Sequence, residues 1–438
     1  MAVAPPPPPE PLIIPIDSSE SAYNGLFRKE SVMNYYMRFG SSPIWIKNDE
    51  FTPLADSMQH LIRNVQYYGF PTGRYHWNEF ATFDSNLSCE DLIRKELLLT
   101  DAFLWFSTEL QFGLQRSQVS GLKDSLQIEL LHQVITDGNL IHTLESLEPV
   151  HAAYQSLKEG LRITLDSIRS IDDDSVLRMG KIRLISINLE RWRAETSDLR
   201  SRYILINIPS FMLEVVENDS TVLSSKVIVG TPGKETPILS STIECFSIYP
   251  YWHVPRKISI EEYLPVIKRD TSFIRRNNFD VLDRKGKILV PDSVEWNKFH
   301  ENYFPVMLRQ REGTENSLGV IKFIFDSPYA VFLHDTNAKR LFRNKERAFS
   351  HGCIRMERAI ELAHFLVTGV VGNESKAVSN FLKEKERHWV DLRRPIPIYT
   401  RYFTCEFKNN ALYVYNDVYS KDRVLYELIY NDQDDLEL

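Results

Sequence analysis

Ser350-His351-Gly352-Cys353-Ile354-Arg355 ends a stretch that opens with Phe332-Leu333-His334-Asp335-Thr336 and runs on through Leu341-Phe342 and Arg347-Ala348-Phe349. A thiol near its ordinary pKa of about 8.5 is mostly protonated at neutral pH, so a cysteine nucleophile needs an imidazole or a positive field beside it. Two histidines and an arginine flank Cys353, and His334 lies 19 positions upstream (353 minus 334), at the end of a β-rich apolar run over 321–333. This pattern makes Cys353 the candidate nucleophile, with histidines near it to serve the thiol. Gly352 can adopt dihedrals closed to other residues and lets the backbone approach a substrate, aiming the Gly352 and Cys353 N–H groups at a developing oxyanion. Arg355 either holds a substrate carboxylate by a bidentate contact or braces the loop through its carbonyls, and the sequence leaves both roles open. His351 is equally divided between an oxyanion role and loop bracing.

The remaining cysteines, Cys89, Cys245 and Cys405, are far apart and form no CxxC pair, so neither a zinc knuckle nor a disulfide framework is indicated. Cys245 and Cys405 sit in apolar, strand-like contexts and read as packing residues. His334, His351 and Cys353 lack the closely paired spacing of a metal site. Acyl chemistry needs only a nucleophile, a base and an oxyanion site, so no cofactor is expected.

Working outward, the segments before the motif are short and β-branched, over 203–208, 211–216 and 222–229, and read as strands of a meander closed by a turn at Gly230-Thr231-Pro232-Gly233. Residues 252–313 differ in character: Ser259-Ile260-Glu261-Glu262 reads as a capping box opening a helix through Ile267, followed by basic and aromatic loops. They read as an insertion, whose Trp252 and Tyr303 are expected to build its own small core. After the motif, Ile360, Ala363 and Leu366 predict a short helix, and 396–407 with 412–418 predict a closing hairpin turned at Lys408-Asn409-Asn410. Towards the N-terminus, Leu54, Met58, Leu61, Ile62 and Val65 recur at helical spacing, and the pattern stays helical to about residue 171. The fold class read from this is α+β: a proline-rich leader or linker over 1–20, an α-helical scaffold domain over 21–178, a mostly β domain over 179–251 resuming at 314–438, and the inserted cap over 252–313.

Composition sets outer limits. At 438 residues the chain exceeds what one core usually serves, so two or three domains are expected. A net charge of −7 with no concentrated basic surface argues against a nucleic-acid partner. No stretch reaches the roughly 18 uninterrupted apolar residues of a membrane span. Met1 to Pro9 lacks the basic and apolar regions of a secretory signal, which leaves a cytosolic protein or one whose signal has been removed.

The HDT and SHGCIR strings resemble the active-site motif of L,D-transpeptidases, the YkuD-type catalytic domain. Further stretches, among them Ile206-Asn207-Ile208-Pro209, Thr236-Pro237, Trp252-His253-Val254-Pro255 and Asn316-Ser317-Leu318-Gly319, are similar in order and spacing to the large envelope enzymes of Gram-negative bacteria. The resemblance implies Cys353 as nucleophile, His334 as base, and the Asp335 main-chain carbonyl as the group orienting the imidazole, with Ser350, His351, Gly352 and Arg355 around the oxyanion and substrate. It implies attack on a tetrapeptide stem at diaminopimelate, loss of D-Ala, and transfer of the acyl group to a second stem as a 3-3 peptidoglycan cross-link. It further implies stem peptides as donor and acceptor, carbapenems as covalent inhibitors, a periplasmic or envelope location, and a cap that shields the thioester from water. Two departures stand out: Asp335 occupies a position that is glycine in many smaller members, and 161–180 is too short for the wall-binding module usual in large ones. An L,D-carboxypeptidase or other hydrolase using the same site, and a non-catalytic wall-binding scaffold, are the alternatives.

Overall fold

The computed structural model describes residues 12–16, 21–81, 87–117, 125–168, 175–195, 199 and 201–430. Of the leader or linker read over 1–20, residues 1–11 and 17–20 lie outside them, whereas Ile14 is buried in the core of the helical unit. The chain forms two compact units: residues up to 195 with Thr404–Tyr415 and 420–430 make one, and 201–403 with 416–419 make the other. A helical region thus precedes a mostly β region, an α+β chain.

The helical unit is organised on Cys89–Phe112, whose first turn is closed by a reciprocal capping box between Ser88 and Asp91. This helix is buried almost all round, which a surface amphipathic helix would not be. Its polar residues are therefore each matched. Glu96 accepts from the Ile44 and Trp45 amides and the Tyr36 hydroxyl. Asp101 accepts from the Phe27 and Arg28 amides and meets His76, and Glu109 binds Arg74, Tyr75 and Trp105.

Two differences from the sequence pattern concern this unit. The mostly β domain is expected to begin at residue 179, with its first strand at 203, yet Ser175–Arg193 is a helix that carries Gly180 within it. Its buried Ile182, Ile185 and Leu189 recur at steps of three and four, a signal that the single glycine obscures. The closing hairpin also belongs here, not in the β domain: Cys405–Lys408 pairs with Ala411–Val414 across Asn409 and Asn410, both at positive φ. Asn188 anchors it by accepting from the Thr404 amide, and Leu425 and Ile429 of the last helix enter the helical core.

In the β unit, nine strands make one sheet: β1 (Arg202–Asn207), β2 (Met212–Glu217), β3 (Ser220–Gly230), β4 (Leu239–Ile248), β5 (Ile321–Phe325), β6 (Leu333–His334), β7 (Ala348–Ser350), β8 (Ile354–Met356) and β9 (His388–Arg401). Their order is β7-β3-β8-β6-β5-β4-β9-β1-β2, and β2 also pairs with the long β3, so the sheet curls into a barrel-like ring. Its interior is filled by inward residues such as Ile206, Phe246, Phe323 and Leu333, with the helix Ala359–Thr368 packed on the same core. The short β6 and β8 are parallel neighbours, and this pairing sets the His334 strand beside the cysteine loop.

The insertion has its own four-stranded sheet and its own core of Val254, Leu264, Ile267, Ile274, Phe279, Trp296, Phe299 and Leu308. Trp252 packs on that core edge-on to Tyr263 at 6.3 Å, and Tyr303 lies against Phe299 although it is half exposed. Its first helical stretch begins four residues earlier than the capping-box pattern predicts, with Pro255 and not Ser259 at the N-cap. Arg256 already follows Pro255 into the helix, and Ser259 is an interior residue at φ −58° whose amide bonds the Pro255 carbonyl.

Candidate active site

Three neighbouring strands hold the site. His334 pairs across β5–β6 with Lys322 and across β6–β8 with Arg355, so the three stand in one row on one face of the sheet. Cys353 immediately precedes β8, and the Ile354 amide bonds the Phe332 carbonyl at 2.8 Å. Cys353, His334, Arg355, Ser350, His351 and Gly352 all line a cavity of about 590 Å³ whose opposite wall is the insertion, through Trp252, Pro255, Ile258, Glu261, Glu262 and Tyr263.

His334 is buried, and its Nδ1 bonds the main-chain carbonyl of Asp335. A carbonyl only accepts, so Nδ1 carries the hydrogen and Nε2 is the basic nitrogen. Asp335 holds that carbonyl in place with its side chain: one carboxylate oxygen accepts from the Val320 amide at 3.0 Å and the other pairs with Lys339. Gly319 makes room for it, since a Cβ there would stand 2.3 Å from the Asp335 carboxylate at φ +61°. The acidic residue is therefore a structural support for the histidine.

The cysteine loop is fixed by a separate set of bonds. Ser350 Oγ donates to the Cys353 carbonyl at 2.5 Å and accepts from the Gly352 amide at 3.1 Å. The Gly352 N–H, expected as an oxyanion donor, is thus engaged by Ser350 in this state. Thr236 Oγ1 donates to the Gly352 carbonyl at 2.8 Å and accepts from the Gly230 amide at 2.9 Å, while the Tyr419 hydroxyl bonds the Gly230 carbonyl at 2.7 Å. Gly352 itself sits at φ +109°, and a Cβ would lie 3.2 Å from the Glu235 carbonyl.

Burial pushes the Cys353 thiol up, opposed by a main-chain bond at Phe332 and by the charges of Lys322 and Arg355. Burial also pushes His334 down to about 3, assisted by Arg355 and Lys322 and opposed by the carbonyls of Asp335 and Leu318. Both shifts favour the neutral forms, thiol and imidazole, over the thiolate–imidazolium pair of many cysteine enzymes.

Arg355 makes no hydrogen bond to protein among the described residues and points its charge at the cavity, which disfavours loop bracing. His351 reaches across the cavity mouth, with Nε2 2.5 Å from Glu262 Oε1, and Lys234 approaches the same carboxylate at 3.6 Å. The sequence pattern does not single out Lys322, Thr236, Tyr419 or Glu262. Only strand register places Lys322 beside His334, and Thr236-Pro237 is visible solely as part of a resemblance.

Residues 201–373 match the L,D-transpeptidase catalytic domain (YkuD), and residues 30–161 match a Scaffold domain. The chain carries an L,D-transpeptidase catalytic domain. A Haemophilus influenzae protein described as a candidate L,D-transpeptidase is 27% identical over 339 residues, covering 77% of this chain and 65% of that protein's length. The L,D-transpeptidase domain contains the whole row of Lys322, His334 and Arg355 together with Cys353, and its match ends just beyond the helix that follows the motif. Among the described residues no helix is long and apolar enough to cross a membrane.

Proposed function

We propose that the chain is a peptidoglycan L,D-transpeptidase that forms 3-3 cross-links through a Cys353 thioester. The observation that carries this reading is the convergence of Cys353, a buried His334 with a defined tautomer, and an unpaired Arg355 on one cavity. Arg355 is suited to a carboxylate of the donor stem. As Cys353 attacks the diaminopimelate carbonyl, its proton passes to His334 Nε2, and the carbonyl oxygen takes up negative charge against the Cys353 N–H, with Gly352 joining once Ser350 releases it. Collapse breaks the bond to D-Ala, whose amine takes the proton from His334. The acceptor stem's amine then attacks the thioester, gives a proton to His334, and the thiol leaves and recovers that proton. The cap closes one wall of the cavity, which limits water as a competing acceptor. Such a substrate places the enzyme in the cell envelope, and a carbapenem, presenting a strained carbonyl to the same sulfur, is expected to acylate Cys353.

The test is incubation with disaccharide-tetrapeptide, read by mass spectrometry, for wild type beside Cys353→Ala. A dimer lacking one D-Ala, made only by wild type, supports the reading. Release of D-Ala without dimer would replace it by carboxypeptidase action, and no change of substrate by either protein would remove this donor.

A further inference from the structure

A transpeptidase must bring two substrates to one sulfur, and the cavity accounts for one. Beside His334, and outside the cavity lining, lies a cluster of basic side chains from both the barrel and the cap. The row that contains His334 continues outward from Lys322 to Ser247 and then Trp389, and Arg387 stands two residues before Trp389. From the cap, His253 and Arg309 are direct cross-strand partners.

Three of the side chains, those of Lys322, Arg387 and Arg309, lie on aromatic faces. Lys322 Nζ lies 3.5 Å from the centroid of Phe332. The Arg387 guanidinium is 5.2 Å from Trp389 and 5.6 Å from Tyr251, and Arg309 approaches Tyr251 at 4.5 Å. The groups feel one another: burial pushes Lys322 down and Arg387 adds to it, while His253 is lowered by burial and then by Arg309, Arg387 and Lys322. Carboxylates are present but committed. Asp280 holds Arg309 and Arg311, and Glu312 bonds Tyr251. Among the described residues no carboxylate forms an ion pair with Lys322, Arg387 or His253.

In a chain of net charge −7 this is not a reflection of bulk composition. Cations held together without counter-charges repel one another, and an anionic ligand would relieve that cost. Trp389 is 52% exposed and Arg387 is exposed, so the cluster is open to solvent. Lys322 joins it to the reaction centre, since it is the direct cross-strand partner of His334.

We infer that Arg387, Lys322 and His253, framed by Trp389 and Tyr251, form the second-substrate site, which receives a carboxylate of the acceptor peptide and sets its amine beside the thioester. This rests on the transpeptidase reading above. The carboxylate is held by charge-assisted bonds from Arg387 and Lys322, while the exposed Trp389 ring offers a surface for the peptide backbone.

Two measurements separate this inference from the reading it rests on. In the first, the full-length enzyme is acylated with tetrapeptide donor, and thioester loss is followed against the concentration of a stem tripeptide ending at diaminopimelate, which has no D-Ala to lose. Arg387→Ala is expected to leave acylation within about twofold and to raise the half-saturating acceptor concentration roughly tenfold, as befits one charged hydrogen bond. The carboxamide form of the tripeptide should show that weakening with wild type and no further loss with Arg387→Ala, and Arg387→Lys should recover part. An acceptor dependence unchanged by Arg387→Ala, or an equal fall in acylation, overturns the inference. In the second, equilibrium binding of the same two tripeptides to full-length Cys353→Ala is compared with and without Arg387→Ala. Carboxylate-dependent binding lost with Arg387, in a chain whose wild type never acylates, would keep the anion site while discarding transpeptidation; binding indifferent to both changes overturns the site.

Discussion

Replacing His334 by glutamine should remove a specific pH dependence from the stability of the β unit. Burial, aided by the charges of Arg355 and Lys322, lowers the imidazole pKa to about 3 in the folded chain against 6.5 ordinarily. Above pH 6.5 both folded and unfolded chains carry it neutral, and it contributes nothing. As pH falls through 6.5 the unfolded chain binds a proton that the native chain refuses until about 3, so native stability falls throughout that window. At about 1.4 kcal/mol per unit, the loss reaches about 3 kcal/mol by roughly pH 4.5. Urea titrations at pH 7.5 and 4.5, read by hydrogen-exchange mass spectrometry on peptides spanning Arg202–Glu217, isolate this unit. Wild type should lose about 3 kcal/mol more than His334→Gln between the two conditions, since carboxylate contributions are common to both. A difference below about 1 kcal/mol would mean that the imidazole protonates at an ordinary pKa, and the neutral resting pair would have to be abandoned.

Thr236→Val removes the donor to the Gly352 carbonyl and the acceptor for the Gly230 amide, both buried, and should cost about 2–4 kcal/mol in the β unit with at least a tenfold loss of Cys353 acylation; thermal unfolding and acylation rate check it, and Thr236→Ser should retain both. Gly352→Ala imposes a side chain at φ +109° against the Glu235 carbonyl, so roughly 1–3 kcal/mol of strain is expected, and acylation should fall about a hundredfold while the barrel strands keep their exchange protection. In the helical unit, burial raises Glu96 to about 7 against 4.5 ordinarily, so native stability falls as pH rises from 4.5 to 7. Glu96→Gln should flatten that slope by about 1–3 kcal/mol, measured by hydrogen exchange on Cys89–Phe112.

Much of the site is legible in the sequence because its parts are contiguous: His334 at a strand end and Cys353 after Gly352 declare themselves through residue type and spacing. The strand segments over 203–229 are equally plain, since β-branched runs are broken by Pro209 and by Asn218-Asp219. Lys322 is not legible, because its place beside His334 depends on the pairing of β5 with β6, a non-local choice invisible to any single segment. Thr236 and Tyr419 act through bonds spanning 116 and 189 positions. Gly180 imitates a boundary although flanking helical spacing overrides one unfavourable residue, and the last helix carries its address in Leu425 and Ile429, which name a buried face but not the core that receives it.

Burial acts with opposite sign in the two units. In each, removal from water favours the neutral form of a titratable side chain: Glu96, whose raised pKa makes acid stabilising, and His334, whose lowered pKa makes acid destabilising. Glu96 makes the ordinary use of a buried acid, tying the Ile44 and Trp45 amides to the central helix. At His334 the same physics does chemical work. A thiolate–imidazolium pair would be attacked by any small electrophile that reached it, whereas a neutral pair ionises only as the carbonyl carbon begins to bond sulfur. In the proposed reaction, Lys322 and Arg355 would favour ionisation on the sulfur side, and burial, aided by their charges, would keep His334 weakly basic, so that a proton taken from Cys353 would pass readily to the departing amine. In that proposed reaction, reactivity would thereby be tied to the presence of a substrate carbonyl, and the row of Lys322, His334 and Arg355 across β5, β6 and β8 would be the structural means of it.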